Sequence, residues 1–140
     1  MNFTVIAVGR LKESYFSAAV DEYVKRIGGF GKIKLIDVKD ESEIIPKIPV
    51  NAYVFALCVE GMRLSSEGLA AHLERVYLSE KKGIYFIIGG ADGLPPGVKE
   101  SCDMKLSMSD MTFPHRLAKV MLLEQIYRAL TIQGNRNYHK

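Results

Sequence analysis

The residues with the most chemistry to offer are crowded into the last quarter of the chain, residues 106–140, LSMSDMTFPHRLAKVMLLEQIYRALTIQGNRNYHK. Its end carries two cations, Arg136 and Lys140, a phenol, Tyr138, and an imidazole, His139. An imidazole moves protons near neutral pH, a phenol donates a hydrogen bond or stacks, and cations hold anions. A frayed polar tail is the ordinary alternative for such a terminus. The choice turns on whether the preceding chain builds anything for the tail to act on.

A second suggestive stretch lies upstream, where the apolar run 84–88 passes directly into Gly89-Gly90-Ala91-Asp92-Gly93-Leu94. Glycines just after a buried strand let a ligand reach backbone N–H and C=O groups, and they equally make a tight turn. The spacing is neither the dinucleotide GxGxxG nor a phosphate loop, which requires a following GK[ST].

The elements that must position these residues follow from periodicity. Residues 3–8 (FTVIAV), 33–38, 52–59 (AYVFALCV), 84–88 and 104–107 read as strands, the best of them apolar on both faces. Between the first two, Phe16, Ala19, Val20, Tyr23, Val24 and Ile27 recur at helical steps from Ser14, and Gly28 and Gly29 are expected to end that helix in the left-handed conformation. Pro46 and Pro49 make 39–50 a connection, since no helix begun at Asp40 runs past Ile45. Ser65 or Ser66 caps a helix whose inner face is Leu69, Leu73, Val76 and Tyr77. Pro95, Pro96 and Gly97 start a short helix through Cys102. A last helix, 114–133, sets Leu117, Val120, Met121, Tyr127 and Leu130 at core-like spacing, with Thr112 as a cap and Pro114 in its first turn as one reading of the loop before it. Alternating strands and helices predict an α/β fold, a mostly parallel sheet flanked by helices, with ligands beyond the carboxyl ends of the strands.

Bulk properties fit one domain over 1–140. With 48% hydrophobic and 25% charged residues, the chain has the balance of a globular protein and not of a disordered one. No apolar run is long enough for a membrane span, and no secretory pattern follows Met1, which points to the cytoplasm. Cys58 and Cys102 form neither a disulfide framework nor a CxxC metal pair, and Cys58 reads as a small core residue. A net charge of +3 permits a polyanionic partner without demanding one.

Taken together, VIAVGRLKESYFSAAVDEYVKRI, FIIGGADGL, LSMSDMTFPHRLAKVMLLEQIYRA and the terminal YHK resemble the RlmH family of ribosomal RNA large-subunit methyltransferases, within the SPOUT group. The resemblance runs over nearly the whole chain, although the 39–50 connection is shorter than in the relatives. It implies a SPOUT α/β knot, with the C-terminal segment forming a trefoil knot. It also implies a homodimer that acts without a metal on assembled ribosomes, methylating N3 of a pseudouridine in large-subunit ribosomal RNA from S-adenosyl-L-methionine.

Carried over residue by residue, the resemblance places Leu57, Gly89, Met108, Ser109, Asp110, Met111, Thr112 and Phe113 around the cofactor. His139, Tyr138 and Arg128 become the catalytic residues. Removing the ring proton calls for a base, which fits His139, and a cation near the developing charge, which fits Arg128; Tyr138 would stack on or hydrogen-bond the nucleobase. Arg136 and Lys140 are expected on RNA phosphates. His115 is read as a first-turn helix residue or as an RNA contact at the substrate entrance. The rival functions are ribose methylation of transfer RNA by the same fold, and a ribosome-binding assembly factor without turnover.

Overall fold

The computed structural model describes residues 1–9, 13–134 and 138. Five strands, β1 (Asn2–Val8), β2 (Lys32–Val38), β3 (Tyr53–Arg63), β4 (Ile84–Ile88) and β5 (Met104–Ser107), form one sheet in the order β2-β1-β4-β3-β5. Every pairing is parallel. Parallel strands need crossovers, and α1 (Ser14–Ile27), α2 (Ser66–Tyr77) and α3 (Pro96–Ser101) supply three of the four, with α4 (His115–Gln133) following the last strand.

Side chains alternate across the sheet, and both faces are covered. Phe3, Val5, Ala7, Phe55, Phe86 and Ile88 point to the face packed by α1, α2 and α4, where Ile27, Leu73, Leu123 and Ile126 are fully buried. Ile6, Val54, Ala56 and Ile87 point the other way, under Ile44, Leu94 and Val98. That second face is roofed by α3 and by two 3₁₀ turns, Glu41–Glu43 and Ile45–Lys47. The prolines act as expected: Asp40 and Glu43 form a capping box that starts the first turn, and Pro46 sits in the second.

Five expectations need correction. Gly28 has a right-handed φ of −57°, so α1 ends without a left-handed glycine. Tyr77 is 58% exposed because α2 runs against the strands and its last turn overhangs the N-terminal edge of the sheet. Cys58 is only half-buried, and β3 does not stop at residue 59: Leu57 and Met62 both pair with Leu106, so 58–61 leaves the ladder as a four-residue excursion before pairing resumes. In α4 the fully buried side is Leu122, Leu123, Ile126, Ala129 and Leu130 together with Lys119 and Thr131, while Leu117, Val120, Met121 and Tyr127 are only partly covered. Among the described residues, no helix is long and apolar enough to cross a membrane.

Candidate functional site

The parallel sheet directs attention to the carboxyl ends of its strands, and the larger cavity opens there. It has a volume of about 660 Å³ and is bounded by the excursion after β3, the glycine loop after β4 and the 108–115 segment between β5 and α4. Such a size and a largely apolar lining suit a small organic molecule.

Two glycines fix its walls. A Cβ on Gly89 would stand 2.5 Å from the Gly93 carbonyl carbon and 2.8 Å from Leu94 N, so the loop after β4 folds back on itself only if position 89 lacks a side chain. A Cβ on Gly61 would meet the Lys105 and Leu106 backbone at 2.7–2.8 Å, which is why the excursion can lie flat against β5.

Of the residues expected around a cofactor, Leu57, Gly89, Met108, Ser109, Met111, Thr112 and Phe113 line this cavity. Asp110 does not: its carboxylate pairs with Arg63 Nη1 at 2.6 Å on the exposed side of the loop. Thr112 also makes no cap bond, because Pro114 itself is the N-cap of α4 and no side chain caps that helix. Ser65 Oγ does cap α2, accepting from Gly68 N, while Ser66 Oγ donates to Gln125 on α4.

His115 joins the cavity wall from the first turn of α4. Two ion pairs tie the next turn to the β1 and β2 side. Arg116 Nη1 donates to Glu13 at 2.7 Å, and the buried Lys119 donates to Asp37 at 2.8 Å. The helix entry that carries His115 is therefore held from two directions.

Arg128 and Tyr138 meet on another part of α4. Glu124 is their common partner, receiving Arg128 Nη2 at 2.9 Å and the Tyr138 hydroxyl at 2.6 Å. The Arg128 guanidinium also lies 4.9 Å from the centre of the Tyr138 ring, which packs edge-on against Tyr127. Burial pushes the Glu124 carboxyl upward, but the hydrogen bonds from Arg128 and Tyr138 outweigh it and hold the group below its ordinary value. Burial and the same carboxylate push Tyr138 well above an ordinary phenol, so at neutral pH it is a hydrogen-bond donor and not a base.

Glu124 also lines a second cavity of about 390 Å³, shared with Ser65, Met121 and Gln125, that abuts the first through Leu106 and Met108. His139, Arg136 and Lys140 lie outside the described residues.

Sequence reasoning passed over Glu124, Glu60 and Lys99, and read Cys58 as core. Glu124 stands four residues before Arg128 on the same helix, a spacing that signals a pair. Cys58 lines the larger cavity, and burial, reinforced by Glu60, raises its pKa, leaving a neutral thiol. Among the described residues, no cluster of three His, Cys, Asp or Glu side chains could hold a metal ion.

Residues 1–139 match the family model described as predicted SPOUT methyltransferase. The ribosomal RNA large subunit methyltransferase H of Lysinibacillus sphaericus is 40% identical, with both chains covered in full. A protein of Methanococcus maripaludis, described as a putative ribosomal RNA large subunit methyltransferase H, is 41% identical, again with both covered in full. These alignments span 159 positions, 19 more than the 140 residues of this chain. Among solved structures, a probable methylase family protein from Haemophilus influenzae superposes with a TM-score of 0.58 at 13% identity over 99% of this chain and 70% of that one. The SpoU methyltransferase AviRb from Streptomyces viridochromogenes, solved in complex with AdoMet, superposes with a TM-score of 0.54 at 10% identity over 96% and 59%.

Proposed function

Because this chain belongs to the SPOUT methyltransferase family, we propose that it methylates N3 of a pseudouridine in large-subunit ribosomal RNA, on the assembled ribosome, with S-adenosyl-L-methionine as methyl donor. That it is a ribosomal RNA methyltransferase rests on the full-length relatives. The finer reading draws on one observation above the rest: a largely apolar cavity at the carboxyl end of a parallel sheet, walled by the Gly89 loop and by 108–113.

The lining fits such a cofactor. A nucleoside with a thioether-linked amino acid needs apolar surface for its base and backbone groups for its polar edge, and Leu57, Met108, Met111 and Phe113 beside Gly89 and Gly90 offer both. When bound, the cofactor supplies an electrophilic methyl group. The protein has to exclude water, orient the RNA base and accept one ring proton. Phe113 and Met108 serve the first task. Arg128 and Tyr138 serve the second as cation and stacking phenol, anchored by Glu124. The proton acceptor is assigned to His139, and the phosphate contacts to Arg136 and Lys140. His115, on the cavity wall, is assigned to the substrate entrance.

The partly covered stripe of Leu117, Met121 and Gln125 on α4 supports a homodimer built across that helix. A C-terminal trefoil knot belongs to the same proposal, supported by the return of α4 between α1 and α2 after β5. So do a single methyltransferase domain over 1–140 and a place in the cytoplasm. The deciding experiment incubates unmodified ribosomes with protein and cofactor and maps nucleosides by mass spectrometry. A 3-methylpseudouridine in large-subunit RNA is expected; methyl transfer to free transfer RNA alone, or to another atom, overturns the assignment.

A further inference from the structure

Among the described residues lining the larger cavity, Glu60 is the one carboxylate and Lys99 the one lysine or arginine. Lys99 Nζ donates to Glu60 Oε1 at 2.7 Å. The backbone brings them together from separate elements. Glu60 rides on the 58–61 excursion, pinned where Gly61 presses on the β5 backbone. Lys99 rides on α3, which is seated by Val98, only 1% exposed.

The carboxylate has capacity to spare. Two ionised oxygens offer about four acceptor sites; Lys99 takes one and the residue's own backbone N–H another. The Glu60 side chain is 54% exposed at the mouth of the cavity. Around it the wall offers apolar carbon, backbone, hydroxyls, a neutral thiol and an imidazole. An acceptor with two oxygens, at the edge of a cavity of nucleoside size, complements two O–H donors on adjacent carbons. Carboxylates read ribose in the same way beyond the glycine turns of dinucleotide-binding sheets.

We infer that Glu60, held in place by Lys99, hydrogen-bonds the ribose hydroxyls of the adenosine cofactor. The inference rests on the cofactor reading above. The competing chemistry, in which Glu60 takes the cofactor's ammonium group, would require Lys99 to leave the same carboxylate for the cofactor's own carboxylate. A ribose diol asks for no change in the 2.7 Å Lys99–Glu60 pair.

Calorimetry on the full chain separates these cases with three stable probes: S-adenosylhomocysteine, 5′-methylthioadenosine, which lacks the amino-acid end, and its 2′-deoxy counterpart. Glu60→Gln is expected to weaken the first two alike, by about tenfold, the scale of a lost hydrogen bond to a charged group. The 2′-deoxy probe, which keeps only the 3′-hydroxyl, should lose clearly less, about threefold. Lys99→Met is expected to cause a smaller loss with the same ordering of probes. Loss for S-adenosylhomocysteine with methylthioadenosine spared overturns the inference in favour of the amino-acid end. Unchanged binding of both, or an equal loss on all three probes, overturns it by reducing Glu60 to a wall residue. If wild type binds no S-adenosylhomocysteine at all, the cofactor reading fails and takes the inference with it.

Discussion

Tyr138 donates its hydroxyl to Glu124 Oε2 at 2.6 Å, fourteen residues back along the chain, and so ties residue 138 to α4. The contact leaves the 660 Å³ cavity untouched, since neither residue lines it. Tyr138→Phe should therefore leave S-adenosylhomocysteine affinity within about twofold while lowering methyl transfer by roughly 10–100-fold, the range set by loss of one positioned hydrogen bond to a charged group. Single-turnover assays beside calorimetry give both numbers. A fall in cofactor affinity would mean that the phenol belongs to the other site.

Glu124 also imposes a pH dependence. Its folded-state pKa lies below the ordinary 4.5, so the stability it contributes is fully present above that value and is lost as pH falls through the lowered one. Urea unfolding of wild type and Glu124→Gln should show a wild-type advantage at pH 7 that shrinks once the pH drops below about 4.5. A constant difference down to pH 3 would rule the carboxylate out as the cause.

Gly89→Ala tests the cavity wall. The new methyl would collide with backbone, not with a movable side chain. The loop must shift, at a cost of about 1–3 kcal/mol in stability by the usual scale of overpacking. Cofactor affinity should fall by at least about tenfold on the same scale. Unfolding and binding curves indistinguishable from wild type would show that the turn accommodates a side chain.

The Lys119–Asp37 pair predicts an asymmetry. Lys119 is buried, its side chain 5% exposed, whereas Asp37 keeps 36%. Asp37→Ala strands an ammonium in the core and should cost about 3 kcal/mol. Lys119→Met leaves a carboxylate that water can reach, with an apolar chain of similar length in its place, and should cost less than about 1.5 kcal/mol. Denaturant titration of the two variants settles the order, and equal losses would refute the explanation.

The sequence was most legible where a residue's fate depends on its neighbours in the chain. β1 and β4 are runs whose two faces are both largely apolar, Ser65 caps α2 from three residues away, and the prolines break 39–50. Legibility failed where distant segments decide. Val59 looks like strand core and is 45% exposed because Gly61 lies against β5, a contact across more than forty residues that no local pattern records. The phase of α4 was misread for a related reason: apolar residues surround much of that helix, and Lys119 occupies its buried side because Asp37 waits there. Within the candidate site, the resemblance named 108–113, of which all but Asp110 line the cavity, while the turn of Asp110 toward Arg63 emerged only from the fold.

The connection between β2 and β3 sets a limit on the length of this chain. It must cross from one strand to another three places away in the sheet order, returning from the carboxyl end to the amino end. At about 4.8 Å between strands and about 3.3 Å per strand residue, that is a span of roughly 27 Å, or about eight fully stretched residues. Residues 39–52 exceed that minimum only by the slack coiled into the two 3₁₀ turns, and the turns carry Ile44 and Ile48 over Ile6, Ala56 and Ile87. Lengthening the connection would cost little more than loop-closure entropy. Trimming it would straighten the turns and lift the isoleucines away, so this tether is free to vary in one direction only.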